Sequence, residues 1–263
     1  MRDPELFARQ GRARLPLRQS IFDTLWRGSL PEVQFLPMDL CPSYFAGYLR
    51  TYIERDVRQL TDIGDLEVFG RFIRLCTALS AQEINYSQLG RDLGITPQTS
   101  RRWLQILKST FQWFEIDAFS QNSLKKISSK PKGYMSDTGF ICYSQAISSP
   151  EALSGHPLLG HILETAIAAE LRKQISLMNS PAHLYHWRSH SGAEVDFILE
   201  RDGIYFPIEV KAKSNPSKKD ANGIESFRLT YPNLKISNGM VISSTQEIAP
   251  LSTLDWGVPW DIA

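Results

Sequence analysis

The chain has 263 residues, 42% of them hydrophobic and 22% charged, with 29 Lys and Arg against 28 Asp and Glu. This composition suits a packed protein and excludes both a disordered chain and a uniformly basic nucleic-acid coat. The length allows one large domain or two small ones, with enough core that no disulfide or structural metal is needed.

Cys41, Cys76 and Cys142 are far apart and odd in number, so they form neither a disulfide framework nor a zinc knuckle. No apolar run approaches the ~20 residues of a spanning helix. The first residues, MRDPELFARQGRARLPLRQ, have no apolar core and are not read as a secretory signal. The expectation is a cytoplasmic protein with no membrane association. Residues 1–150 hold 19 Lys and Arg against 15 Asp and Glu, and residues 151–263 hold 10 against 13. The most basic window, 97–132, has seven basic and two acidic residues. The basic surface is therefore expected in the first half.

Residues 1–60 read as a mainly helical lead segment, broken by Pro16, Pro31 and Pro37. Tyr44 to Leu60 places Phe45, Tyr48, Leu49, Tyr52, Ile53 and Val57 at helical spacing. Residues 66–137 read as a winged-helix domain. Phe69, Phe72, Ile73, Cys76 and Leu79 mark a first amphipathic helix, and Ser87 to Leu93 a short second one that stops at Gly94. Thr96 is then an N-cap and Pro97 a first helical residue for a third helix, ending near Lys108. Helix, tight turn, helix is the helix-turn-helix plan. Strands at Trp113–Phe119 and Lys130–Met135 would form the wing. The polar face of the third helix offers Gln98, Thr99, Arg101 and Arg102, with Gln105 beside them. The wing adds Lys125, Lys126, Lys130 and Lys132. Arg and Gln read base edges or grip phosphates, so these residues are the expected DNA contacts; a solvated helix or a protein-docking face is the competing reading.

Ser144 to Pro150 reads as a linker, and residues 150–263 as an α/β domain. A helix runs through LLGHILETAIAAELRKQI. Strands follow at Leu184–Arg188, Ala193–Glu200 and Ile204–Ala212, then a helix around Asp220–Leu229 and a strand at Gly239–Ser243. Asp202-Gly203 suits a two-residue hairpin turn. Arg201 then faces Ile204, Asp196 faces Glu209, and Glu194 faces Lys211. One side of the hairpin (Val195, Phe197, Leu199, Ile204, Phe206, Ile208 and Val210) is apolar core. The other carries Glu194, Asp196, Glu209 and Lys211. Opposed carboxylates repel unless a cation lies between them, and paired oxygen ligands suit Mg²⁺ or Mn²⁺. A lysine two residues beyond a ligand can orient water or stabilise charge on a phosphate. The competing reading is a solvated outer face, with Glu194 and Lys211 as a surface ion pair. Glu164, on the apolar upstream helix, calls for a partner unless it faces water. His183, His186 and His190 lack a zinc spacing and a fourth ligand. Ser136 to Gly139 reads as a capped turn rather than a phosphate site.

Glu164, Asp196 and Glu209-Val210-Lys211 together resemble the PD-(D/E)xK nuclease superfamily, the restriction-endonuclease-like fold. More of the chain resembles the C-terminal half of a prokaryotic family of AAA-type ATP-binding proteins. The matching stretches, in order, are YLRTYIERDVRQL, LGITPQTSRRWLQIL, KPKGYMSDTGF, HPLLGHILETAIAAEL, WRSHSGAEVDFIL and PIEVKAK. The resemblance implies a winged helix followed by a nuclease-like domain, an α+β or α/β fold overall. It makes the lead segment a remnant of an ATPase-linked region. It implies Asp196, Glu209 and Glu164 as metal ligands and catalytic residues, with Lys211 supporting the water or the scissile phosphate. No G-x-x-x-x-G-K-[ST] occurs, so no ATP site is expected; a truncated family member or a separately encoded ATPase would account for this. The expected function is DNA-associated, metal-dependent phosphodiester hydrolysis. The alternative is a non-catalytic interaction module working with a partner protein or a separate ATPase.

Overall fold

The computed structural model describes residues 20–52, 57, 65–121 and 129–261. Helices and a mixed sheet build an α+β architecture in two compact units. Among the described residues no helix is long and apolar enough to cross a membrane.

The first unit comprises Ile21–Glu115 and Lys132–Ala166. It opens with α1 (Ile21–Arg27) and α2 (Cys41–Thr51), joined through 3-10 turns at Glu32–Phe35 and Met38–Leu40. The lead-segment expectation is corrected here: Leu25, Trp26, Val33 and Phe45 are buried and belong to this unit's core. Long-range contacts hold them. Gly28 has φ +79°, and its bend brings the Ser29 N–H within 2.6 Å of Asp137 Oδ2. Arg27 Nη1 donates to the Val33 and Leu36 carbonyls at 2.6 and 2.7 Å. The expected helix from Tyr44 to Leu60 is present through Thr51; Ile53 and residues 58–60 lie outside the described residues.

Then come α3 (Leu66–Ala78), β1 (Gln82–Glu83), α4 (Tyr86–Leu93), α5 (Pro97–Ser109), β2 (Trp113–Ala118) and β3 (Lys132–Met135). The caps are those the sequence calls for. Gly94 ends α4 at φ +70°, and Thr96 Oγ1 accepts from the Thr99 N–H at the start of α5. Phe69 and Phe72 of α3 meet Trp103 of α5 edge-on, at 5.2 and 5.4 Å between ring centroids. β3 lies between β1 and β2. Gly133 is required there, because a Cβ would run into the Trp113 indole. β1, only two residues long, carries no periodicity from which to foresee it.

The unit closes with α6 (Thr138–Ser144), α7 (Pro150–Ser154) and the part of α8 (Leu159–Ser176) that ends at Ala166. Asp137 caps α6, accepting from the Phe140 N–H at 2.8 Å. Residues 144–150 are not a linker: Ile147 is buried, and its carbonyl accepts from Trp26 Nε1 at 2.8 Å.

The second unit includes Ile116–Pro131 and Ile167–Ala263. Its strands are the end of β2, β4 (His183–Arg188), β5 (Glu194–Arg201), β6 (Ile204–Lys211), β7 (Lys235–Ile236), β8 (Gly239–Ser243), β9 (Ala249–Pro250) and β10 (Asp255–Pro259); α9 (Asn222–Thr230) lies between β6 and β7. The order is β2-β4-β5-β6-β8-β10-β9, with β7 beside the start of β6. The β4-β5 and β5-β6 pairs are antiparallel, and β6-β8 and β8-β10 are parallel. Ile224 and Phe227 of α9 pack with Tyr185, Trp187, Val195, Ile198 and Val241 in one core cluster.

Candidate functional site

The β5-β6 register is the one the Asp202-Gly203 turn dictates. Arg201 opposes Ile204, Leu199 opposes Phe206 and Phe197 opposes Ile208. The backbone ladder runs only from Arg201–Ile204 to Phe197–Ile208. One step further, the Val210 N–H donates to Asp196 Oδ2 at 2.9 Å. A β-bulge on the other side of β5 accompanies this change. Tyr185 opposes Ile198, but Trp187 opposes Val195, so three steps on β5 answer two on β4. Val195 therefore joins the α9 side of the sheet with Ile198, which corrects its expected place beside Phe197. Glu194 is likewise not opposite Lys211. It pairs across β4-β5 with Arg188, Nη1 to Oε1 at 2.9 Å.

Asp196, Glu209 and Lys211 do come together. Lys211 Nζ lies 2.7 Å from Glu209 Oε2 and 4.0 Å from Asp196 Oδ2. The solvated-face reading fails for both carboxylates, because Asp196 and Glu209 are only 7% and 4% exposed. The site lies at the carboxyl end of β6, where β6 runs parallel to β8 and Lys211 opposes Ser243. Burial, and after it the Asp196 charge, push the Glu209 carboxyl up to about 8 against the pull of Lys211. On Lys211 burial pulls downward, but the Glu209 and Asp196 carboxylates outweigh it and raise the ammonium. Two neighbouring buried carboxylates repel each other, which holds a proton on Glu209 or favours a cation between them. The donor set therefore fits a hard divalent cation that keeps water ligands of its own. Among the described residues no group of three or more His, Cys, Asp or Glu side chains is placed to hold a metal.

Glu164 is the remaining expected ligand. It is buried in the first unit, where its Oε1 accepts from Lys132 Nζ at 2.9 Å and from the Tyr134 hydroxyl at 2.8 Å. The same pair corrects Lys132 as a DNA contact: β3 carries it inward, and it is 8% exposed. The other DNA-contact residues fall unevenly. Gln98, Arg101, Arg102 and Gln105 line one exposed face of α5, with Thr99 half-buried behind its cap. Arg101 lies over the Tyr86 ring at 5.0 Å. Lys130 is exposed in the second unit, its carbonyl 3.1 Å from His186 Nε2. Lys125 and Lys126 lie outside the described residues. His186 is buried while His183 and His190 are exposed. The three cysteines are buried free thiols.

The sequence reading missed the Val210 N–H, which fixes the Asp196 carboxylate; a main-chain donor leaves no residue-type signal.

Comparison with known proteins is consistent with two modules. Uncharacterized proteins of Mycobacterium tuberculosis and Mycobacterium bovis are each 27% identical over 244 residues, covering 92% of this chain and 53% of the relative. The chain thus spans about half the length of the curated relatives it matches. No solved structure matches it. The model of a second family of domains of unknown function (DUF4143) matches residues 159–262, the stretch that carries Asp196, Glu209 and Lys211. Residues 18–151, more than half the chain, match the family described as a domain of unknown function (DUF8612), and the chain belongs to that family.

Proposed function

We propose that the chain is a nucleic-acid phosphodiesterase that works with Mg²⁺ or Mn²⁺ held by Asp196 and Glu209. The observation that carries this reading is the buried carboxylate pair sharing Lys211 at the end of β6. Two buried carboxylates side by side repel each other, and a divalent ion would satisfy both. When bound, such an ion supplies Lewis acidity and lowers the pKa of a coordinated water.

The chain's own residues supply the rest. The Val210 N–H orients Asp196. Glu209 carries the exchangeable proton until a cation displaces it. Lys211, whose side chain is 36% exposed, is the group of the three that can reach a phosphate oxygen and offset its charge. The order from α3 to β3, helix, strand, two helices and two strands with β3 in the middle, supports a winged helix. Its α5 face would contribute Gln98, Arg101 and Arg102 to the phosphate backbone or base edges. Similarity to DUF4143, which is commonly associated with AAA-type ATPase proteins, supports work with an ATPase, whether part of the same protein or encoded elsewhere.

The test is cleavage of supercoiled plasmid DNA by the purified chain in Mn²⁺ or Mg²⁺. Nicking is expected, and Lys211→Ala should slow it at least about tenfold while keeping cation binding. Cation binding without any cleavage would favour a non-catalytic interaction module instead.

A further inference from the structure

The first turn of α9 lies against Glu209, and its second residue is Gly223. A Cβ added to Gly223 would overlap the Glu194 carbonyl oxygen and stand 2.5 Å from Glu209 Oε1. That is well inside van der Waals contact. Gly223 sits within a helix and has no positive φ, so its backbone does not demand glycine. Helix propensity favours Ala there by about 1 kcal/mol. The missing side chain is therefore a matter of space.

A methyl group at this position could not be absorbed by moving the helix. Ile224 and Phe227 are fully buried in the core cluster and hold α9 in place. The Glu209 carboxylate, the end of a side chain, is the part able to give way, whereas the Glu194 carbonyl is main chain and yields only if the start of β5 shifts. Glu194 is the terminal rung of the β4-β5 ladder, two residues before Asp196. A push at Gly223 thus reaches both carboxylates of the site, one directly and one through its strand.

We propose that Gly223 is a positioning residue: the bare backbone of α9 is the wall that holds Glu209 toward Asp196 and Lys211 and seats the start of β5. The proposal rests on the reading of Asp196 and Glu209 as a cation site.

The experiment is a Mn²⁺ titration of the full chain followed by melting temperature, for wild type, Gly223→Ala and the neighbouring Asn222→Ala. Wild type and Asn222→Ala are expected to be stabilised alike. Gly223→Ala should fold but need at least about tenfold more Mn²⁺ for half-saturation, the usual scale for residues that orient metal ligands. A structural role alone would lower the melting temperature and leave the Mn²⁺ half-saturation unchanged. If Gly223→Ala fails to fold, a Mg²⁺ titration of wild type by NMR decides. The Gly223 amide should shift with the same half-saturation as the Glu209 side-chain carboxyl, and a stationary Gly223 amide beside a moving Glu209 would overturn the proposal. A Gly223→Ala response equal to wild type would overturn the positioning role alone. A wild type indifferent to both cations would overturn the cation-site reading and this inference with it.

Discussion

A carboxyl raised to about 8 by burial and by the Asp196 charge stays protonated at neutral pH while no cation is present, and this sets how the site responds to pH. The ordinary value is 4.5, so between about 4.5 and about 8 the folded chain binds a proton that the unfolded chain has released. Glu209 thus makes the metal-free fold lose stability as pH rises through that window. Urea unfolding from pH 5 to 8 should show this downward slope in wild type and a shallower one in Glu209→Gln. Mn²⁺ must displace the same proton, so its affinity should rise about tenfold per pH unit below 8. Glu164 behaves differently. Removing it takes from buried Lys132 the carboxylate it is paired with, so Glu164→Ala should cost about 3–5 kcal/mol in urea unfolding. Residue types made Asp196, Glu209 and Lys211 legible in the sequence. The inward turn of Lys132 was not, because a lysine on a four-residue strand reads as solvated until its buried partner is known.

At the scale of elements, local chemistry carried most of the information. Thr96, Pro97 and Gly94 placed the ends of α4 and α5, and Asp202-Gly203 fixed the β5-β6 register through Phe197–Ile208. The bulge in β5 was hidden, since one extra residue leaves the apolar pattern of Val195 to Leu199 almost intact while moving Val195 to the other face. α1 and the Ile147 segment were hidden too, because their partners lie more than 100 residues away. The face of α5 predicts phosphate contacts. Arg101→Ala and Arg102→Ala should each weaken nucleic-acid binding and shallow its log–log salt dependence by about one unit. Phe111, in the turn between α5 and β2, holds φ +60° with its ring 76% exposed. Phe111→Gly should relieve that strain and stabilise the fold by about 1 kcal/mol, read as a raised melting temperature.

For the whole molecule, the two units each hold one of the proposed sites. α5 belongs to the first unit and the Asp196–Glu209 pair to the second. Arg101→Ala and Arg102→Ala should therefore leave Mn²⁺ binding at its wild-type level, while Asp196→Asn should leave the salt dependence of nucleic-acid binding intact. The division itself was only partly legible. The chain leaves the first unit at Ile116, where no Pro, Gly or Ser marks the crossing, and returns at Lys132, where the Ser, Pro and Gly residues of SSKPKG read equally well as part of a wing. Whether Asp196 and Glu209 hold a divalent cation is decided by calorimetric Mn²⁺ titration of wild type, Asp196→Asn and Glu209→Gln, each checked for a native circular dichroism spectrum. A saturable binding heat is expected in wild type and its loss in both variants; equal binding in all three proteins would exclude the pair as the cation's ligands.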